Sequence, residues 1–303
     1  MRRFLLIVPA ALVAVPVWAL TTGVDMRVAA WAAGWQREFQ NSLAGTLRAL
    51  RAGEPGALSL LLSVCFAYGF FHAIGPGHGK LLVGAYGLGR RVALLRLAVI
   101  ALISSMGQAV TAILLVLVGL LLVGWTRQQL TGAAESLMLP ASTLAVAGIG
   151  LWLVLRGAVS LWRLRKSGSG GHSQANVQRG HDHTGCAHIH APSLEEVERA
   201  GDLRDTLLIV GGIAIRPCSG AILLLVLTAY MDMLPMGIAG TLAMALGTAA
   251  LTVGVAVASV FVRESTLSSF GNSTAAARLL PAIEVTSGLA ICVVSVEVLV
   301  RFV

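Results

Sequence analysis

Residues 57–89 read ALSLLLSVCFAYGFFHAIGPGHGKLLVGAYGLG. As one straight helix this run would be about 50 Å long, well beyond the ~30 Å hydrocarbon core of a bilayer. Gly75-Pro76-Gly77 supplies a reason for it to break midway, because proline removes a backbone donor and glycine permits unusual dihedrals. A broken helix at membrane depth leaves unpaired carbonyls that only protein or a cavity can satisfy. Carriers place their ion sites at such breaks. His72 and His78 flank this one. On an intact helix a six-residue spacing points the two rings roughly 120° apart, and unwinding between them removes that obstacle.

The rest of the chain has the same character. Hydrophobic residues make up 56% of the 303 and charged residues 12%, with a mean hydropathy of +0.83. A soluble domain of this length needs more polar surface, so the bilayer is the solvent. Apolar runs near 4–22, 57–89, 92–124, 141–162, 206–230, 237–262 and 281–302 are long enough to span it. Backbone satisfaction in lipid makes each of them a helix. The expected fold class is all-α, a polytopic membrane helix bundle. Arg2-Arg3, the apolar run behind them and Val17-Trp18-Ala19 fit a cleavable signal peptide as well as a first anchor, which leaves 6–7 transmembrane helices.

The formal charge of +8 is topology rather than a nucleic-acid footprint, so no nucleic-acid partner is expected. With the N-terminus inside, the inner ends and loops carry twelve basic residues, among them Arg90, Arg91, Arg163, Arg165, Lys166 and Arg263, against five outside. That places the chain in a bacterial inner membrane with the 163–204 stretch cytoplasmic. Residues 24–52 form a separate outside element. Val28, Trp31, Trp35, Phe39, Leu43, Leu47 and Leu50 recur at helical spacing, which predicts an amphipathic helix at the interface or packed on the bundle.

The six later spans read as two related halves. Ala73-Ile74-Gly75-Pro76-Gly77-His78-Gly79 lines up with Ala214-Ile215-Arg216-Pro217-Cys218-Ser219-Gly220, an offset of 141 residues. Gly107-Gln108-Ala109 aligns with Gly247-Thr248-Ala249, and Gly148 with Gly288, at an offset of 140. Three spans separate matching points, so the halves run in opposite directions as inverted three-helix repeats, each with a broken helix. The expected organisation is a signal or anchor (1–22), an outside helix (23–56), a first half (57–162), a histidine-rich linker (163–205) and a second half (206–303).

Helix breaks are expected at Gly75, Pro76 and Gly77 and again at Pro217 and Gly220. Neutral imidazole suits nickel, cobalt, zinc or copper far better than magnesium or sodium, which makes His72 and His78 candidate ligands, with Cys218 a soft ligand from the other half. Lys80 and Arg216 are charged within apolar runs and are assigned gating or structural roles, paired with acids such as Glu284 or Glu297. Ser104, Ser105, Gln108, Thr111, Thr248 and Thr252 line a path or bond neighbouring helices. Five of the seven histidines fall in the linker, where His172, His181, Asp182, His183, Cys186, His188 and His190 form a loose transition-metal ligand set. Its spacing fits no folded zinc finger, so an exchangeable store or a sensor is expected, with a solvated low-complexity linker as the alternative. Cys65, Cys186, Cys218 and Cys292 show no disulfide spacing.

At these residues the chain resembles the NicO family of nickel/cobalt transporters, within the wider LysE-type superfamily. The Phe71-His72-Ala73-Ile74-Gly75-Pro76-Gly77-His78-Gly79-Lys80 run resembles that family's first-helix signature. Ile215-Arg216-Pro217-Cys218-Ser219-Gly220-Ala221 resembles its second proline-containing segment, and the histidine loop fits too. The resemblance implies a transporter of Ni2+ or Co2+, with zinc as a further cargo, that holds no permanent cofactor and is not an enzyme. It implies metal recognition by His72, His78 and Cys218. It leaves uptake or efflux, a periplasmic metal-binding partner and homo-oligomer formation open. Two other classes remain as alternatives: an intramembrane thiol oxidoreductase, which needs a second cysteine able to reach Cys218, and a metal-responsive receptor or accessory subunit.

Overall fold

The computed structural model describes residues 22–74, 83–84, 86–88, 92–167, 206–270 and 274–302. Gly75, Pro76, Gly77, His78, Lys80, the linker cluster from His172 to His190 and the first apolar run all lie outside the described residues. What is described is helical. α1 (Val24–Arg51) precedes α2 (Ala57–Ile74). α3 (Leu94–Val116) runs into a π-helical stretch, Leu117–Leu122. α4 (Arg127–Ala133), a second π-helical stretch (Ala134–Met138) and α5 (Leu139–Ser167) follow. α6 (Thr206–Ala214) and α7 (Ser219–Tyr230) meet at a 53° bend. α8 (Leu234–Phe270) and α9 (Thr274–Phe302) close the chain.

Five helices are long and apolar enough to cross a membrane, and the α6–α7 pair makes a sixth if it is one bent span. The protein is therefore a polytopic helix bundle. The 92–124 run, too long for a simple span, resolves into α3 and the π-helical stretch, with Gly124 at φ +73° turning the chain beyond it. Thr126 then starts α4. Its hydroxyl accepts from the Gln129 N–H while the Gln129 side chain accepts from the Thr126 N–H, a reciprocal cap for two orphan donors.

Lipid removes the hydrophobic drive between helices, so close approach depends on small residues. A Cβ on Gly247 of α8 would strike the Phe66 carbonyl of α2, and one on Gly69 of α2 would strike the Met244 carbonyl of α8. Thr248 donates to the Gly69 carbonyl at 3.1 Å across the same seam. At the α5–α9 seam, a Cβ on Gly288 would lie 2.6 Å from the Gly150 oxygen. These glycines allow the close approach at both seams.

α1 is amphipathic, as expected, and packs on the bundle. Leu43 and Leu47 are buried against α2 and α7, whereas Trp31 and Trp35 nearer its start remain 53% and 42% exposed. Phe71 of α2 fixes the contact, with ring centroids 5.7 Å from Trp31, 5.6 Å from Trp35 and 5.4 Å from Phe39.

Two apolar clusters fill the interior. One gathers Leu43, Leu47, Leu61, Tyr68, Val116, Leu130, Leu224 and Met244. The other gathers Leu97, Ile100, Val146, Leu153, Ile209, Ile213, Ala256 and Val260. Along α3, α8 and the α6–α7 pair, the polar residues between these clusters are Ser104, Ser105 and Gln108, then Thr248 and Thr252, then Arg216, with Cys218 at the edge of the first cluster. A polar layer therefore separates two apolar ones, at the level of the bend.

Candidate functional site

The bend has a local cause. In a continuous helix the Ile213 carbonyl would accept from the N–H of residue 217, but that residue is proline and has none. The freed carbonyls find side chains on neighbouring helices. Gln108 Nε2 of α3 donates to the Ile213 carbonyl at 3.1 Å, and Ser142 Oγ of α5 donates to the Gly212 carbonyl at 2.8 Å. Cys218 is extended (φ −75°, ψ 128°) and precedes the first turn of α7. Gly220 follows, and a Cβ there would collide with the Tyr68 ring, so glycine lets α2 pass close to the break.

That approach brings His72 and Cys218 together. The Cys218 thiol hydrogen-bonds the His72 ring, and the Tyr68 hydroxyl bonds both Cys218 and Ser219. The Tyr68 and His72 rings are stacked, 5.8 Å between centroids at 11°. From α1, Gln36 Oε1 lies 3.5 Å from His72 Nδ1, and Gln40 Nε2 donates to the Tyr68 hydroxyl at 3.4 Å. His72 of α2 and Cys218, just before α7, are thus neighbours. Tyr68, Gln36 and Gln40 were not expected at the site. The four-residue spacing of Tyr68 and His72, and of Gln36 and Gln40, puts each pair on one helix face, but only packing shows that the faces meet.

Arg216 has Cys218 and Glu135 as electrostatic neighbours. Glu284 lies 4.0 Å from Arg156, whose guanidinium also sits over the Trp152 ring at 5.3 Å. Glu135 reaches this end through the π-helical stretch before α5, a local winding that hydropathy does not reveal. Of the expected path residues, Ser104 and Ser105 are buried, Gln108 bonds the α6 carbonyl, and Thr252 donates to the Thr248 carbonyl at 2.8 Å. Among the described residues, no three of His, Cys, Asp and Glu come close enough to hold a metal ion. His72 and Cys218 supply two groups.

A helix bundle with a bent span and a polar layer at the bend defines a class: a multi-pass membrane protein built around an internal polar site. Residues 58–185 match the NicO family, described as high-affinity nickel-transport protein. It is 29% identical over 233 residues to a Haemophilus influenzae protein named "Putative nickel/cobalt efflux system", across 71% of this chain and 70% of that one. No solved structure matches.

Proposed function

We propose that the protein is a secondary carrier of divalent transition-metal ions, nickel or cobalt and by the same ligand chemistry zinc, in a bacterial inner membrane. The observation that carries this reading is the meeting of His72 with Cys218 at the bend between α6 and α7. An imidazole and a thiol are transition-metal ligands, and two of them, completed by His78 and backbone carbonyls, bind selectively without trapping the ion. The family match and the name of the Haemophilus influenzae relative agree with this cargo.

The contacts also support alternating access between inverted halves. Gln108 and Thr248 occupy matching positions, and each donates to a main-chain carbonyl in the first helix of the opposite half, at Ile213 and at Gly69. Gly107 and Gly247 match likewise. A Cβ on Gly107 would lie 2.6 Å from the Ala214 Cβ, and one on Gly247 would strike Phe66. Each half's second helix therefore grips the other half's first helix just before its expected break. Arg216 gates the layer as a fixed positive charge, and Lys80 does so from the first half. The linker from His172 to His190, on the cytoplasmic side, collects or senses metal at the inner mouth. The cargo is the only metal required, and no resident cofactor is invoked.

Flux into proteoliposomes loaded with a metal-sensitive dye tests this, comparing nickel, cobalt, zinc and magnesium. Saturable transition-metal flux that disappears in His72→Ala/His78→Ala protein, still inserted and folded, is the expected result. Undiminished flux in that variant would overturn the site assignment. Deleting 172–190 should change apparent affinity without stopping flux.

A further inference from the structure

Gln36 and Gln40 lie one turn apart on α1, and His72 and Tyr68 one turn apart on α2. The pairing runs Gln36 to His72 and Gln40 to Tyr68, as it must for antiparallel neighbours. The register is held from both sides along α1. Trp31, Trp35 and Phe39 pack on Phe71, the residue before His72, and Leu43 and Leu47 are buried one and two turns further along. The His72 ring is thereby bracketed. Tyr68 covers one face, Gln36 stands at Nδ1, and Cys218 bonds the ring from the second half.

We propose that Gln36 is a positioning residue for transport: its carboxamide oxygen accepts the Nδ1 proton of His72 and so presents Nε2, unprotonated, to the ion. A neutral imidazole carries one proton on one of two nitrogens, and only the bare nitrogen binds metal. An oxygen acceptor at Nδ1 decides between the two tautomers and also stops the ring from turning. Groups of this kind behind a metal-ligating histidine are worth about 10–100-fold in metal affinity. Gln40 supports the same arrangement indirectly, by fixing the phenol that stacks on the ring. α1, which spans nothing, thereby becomes part of the transport site.

This inference rests on His72 being an ion ligand, and the test separates the two. Nickel flux is measured in proteoliposomes for wild type, Gln36→Glu, Gln36→Met and His72→Ala, with insertion and folding checked for each. Glutamate keeps an acceptor at the same reach. Methionine keeps the volume without one. The expected result is a nickel KM raised about tenfold or more in Gln36→Met with maximal flux retained, a KM near or below wild type in Gln36→Glu, and no flux in His72→Ala. Inactive His72→Ala beside a wild-type KM in Gln36→Met would overturn the role of Gln36 alone. Equal impairment of Gln36→Glu and Gln36→Met would also overturn it, since packing and not proton acceptance would then be what matters. Normal flux in His72→Ala would overturn the ligand reading, and this inference with it.

Discussion

Gln108 donates a hydrogen bond to the carbonyl of Ile213, the acceptor that Pro217 leaves without a partner along its own helix. The two residues are 105 positions apart, yet the need for one follows from the other. A carbonyl freed in an apolar environment costs about 1–3 kcal/mol unless a donor reaches it. Ser142 meets the same demand at Gly212, one residue earlier. The bend is therefore a built feature with its own supporting side chains, and the site depends on it, because Cys218 lies in the break, immediately before α7.

Gln108→Leu should lower stability by about 1–2 kcal/mol, since one buried carbonyl loses its donor while the volume is nearly kept. Pro217→Ala restores an N–H at the position that an unbroken helix would use. The Gln108→Leu penalty should therefore shrink in a Pro217→Ala background. Thermal unfolding in detergent of the four proteins measures the coupling, and strictly additive shifts would disprove the link between these residues.

Hydropathy alone located the spans, because lipid demands long apolar runs and α2, α3, α8 and α9 each contain one. The second break was legible from Pro217, whose chemistry is local. His72 and Cys218 were legible as a pair only because the 141-residue offset set each beside a proline expected to break its helix. What was not legible depends on tertiary contact. Nothing in the glutamine spacing of α1 says that it faces Tyr68 and His72. Arg156 stands within an apolar run and pairs with a glutamate 128 positions later, a link that the offset does not predict. Glu135 sits in a π-helical stretch, where one extra residue per turn shifts the faces that a 3.6-residue period assigns.

Glycine positions along α8 should differ sharply in tolerance. Gly247→Ala places a methyl against the Phe66 carbonyl and should cost about 1–3 kcal/mol, as overpacking does. Gly254→Ala, seven residues on, meets nothing within 4 Å and should be neutral or stabilising by up to about 1 kcal/mol. Folded yield and melting temperature of the two variants decide it. Similar behaviour would mean that α2 and α8 are not in close contact.

Arg156 and Glu284 bridge α5 and α9 at 4.0 Å, with the carboxylate side chain 11% exposed and the guanidinium 41%. Arg156→Leu removes one partner of a largely buried carboxylate, whereas Arg156→Leu/Glu284→Gln removes both charges. The single variant should be the less stable, by about 1–2 kcal/mol after allowing for the exposure of the arginine. Melting temperatures at low and high salt are the measurement. Equal stability of single and double variants would show that the pair contributes nothing.

Arg263 has a structural role. It is 6% exposed, and its Nη1 donates to the Gly87 carbonyl at 3.0 Å, with Val92 O 3.5 Å from both terminal nitrogens. The planar fork of a guanidinium serves two carbonyls at once, which the point-like ammonium of lysine does not. α8 thereby ties down the chain just before α3. Arg263→Lys should loosen that tie and Arg263→Ala should remove it, so amide exchange at Tyr86, Gly87, Leu88 and Val92 should quicken in that order, about tenfold or more for alanine. Amides in the α2–α8 seam, held by Gly69, Gly247 and Thr248, should keep their protection, because local opening there involves none of the same bonds. Exchange that quickens equally in both regions would mean that Arg263 stabilises the whole bundle rather than one end. Unchanged exchange at Tyr86, Gly87, Leu88 and Val92 would mean that the two carbonyls do not depend on it.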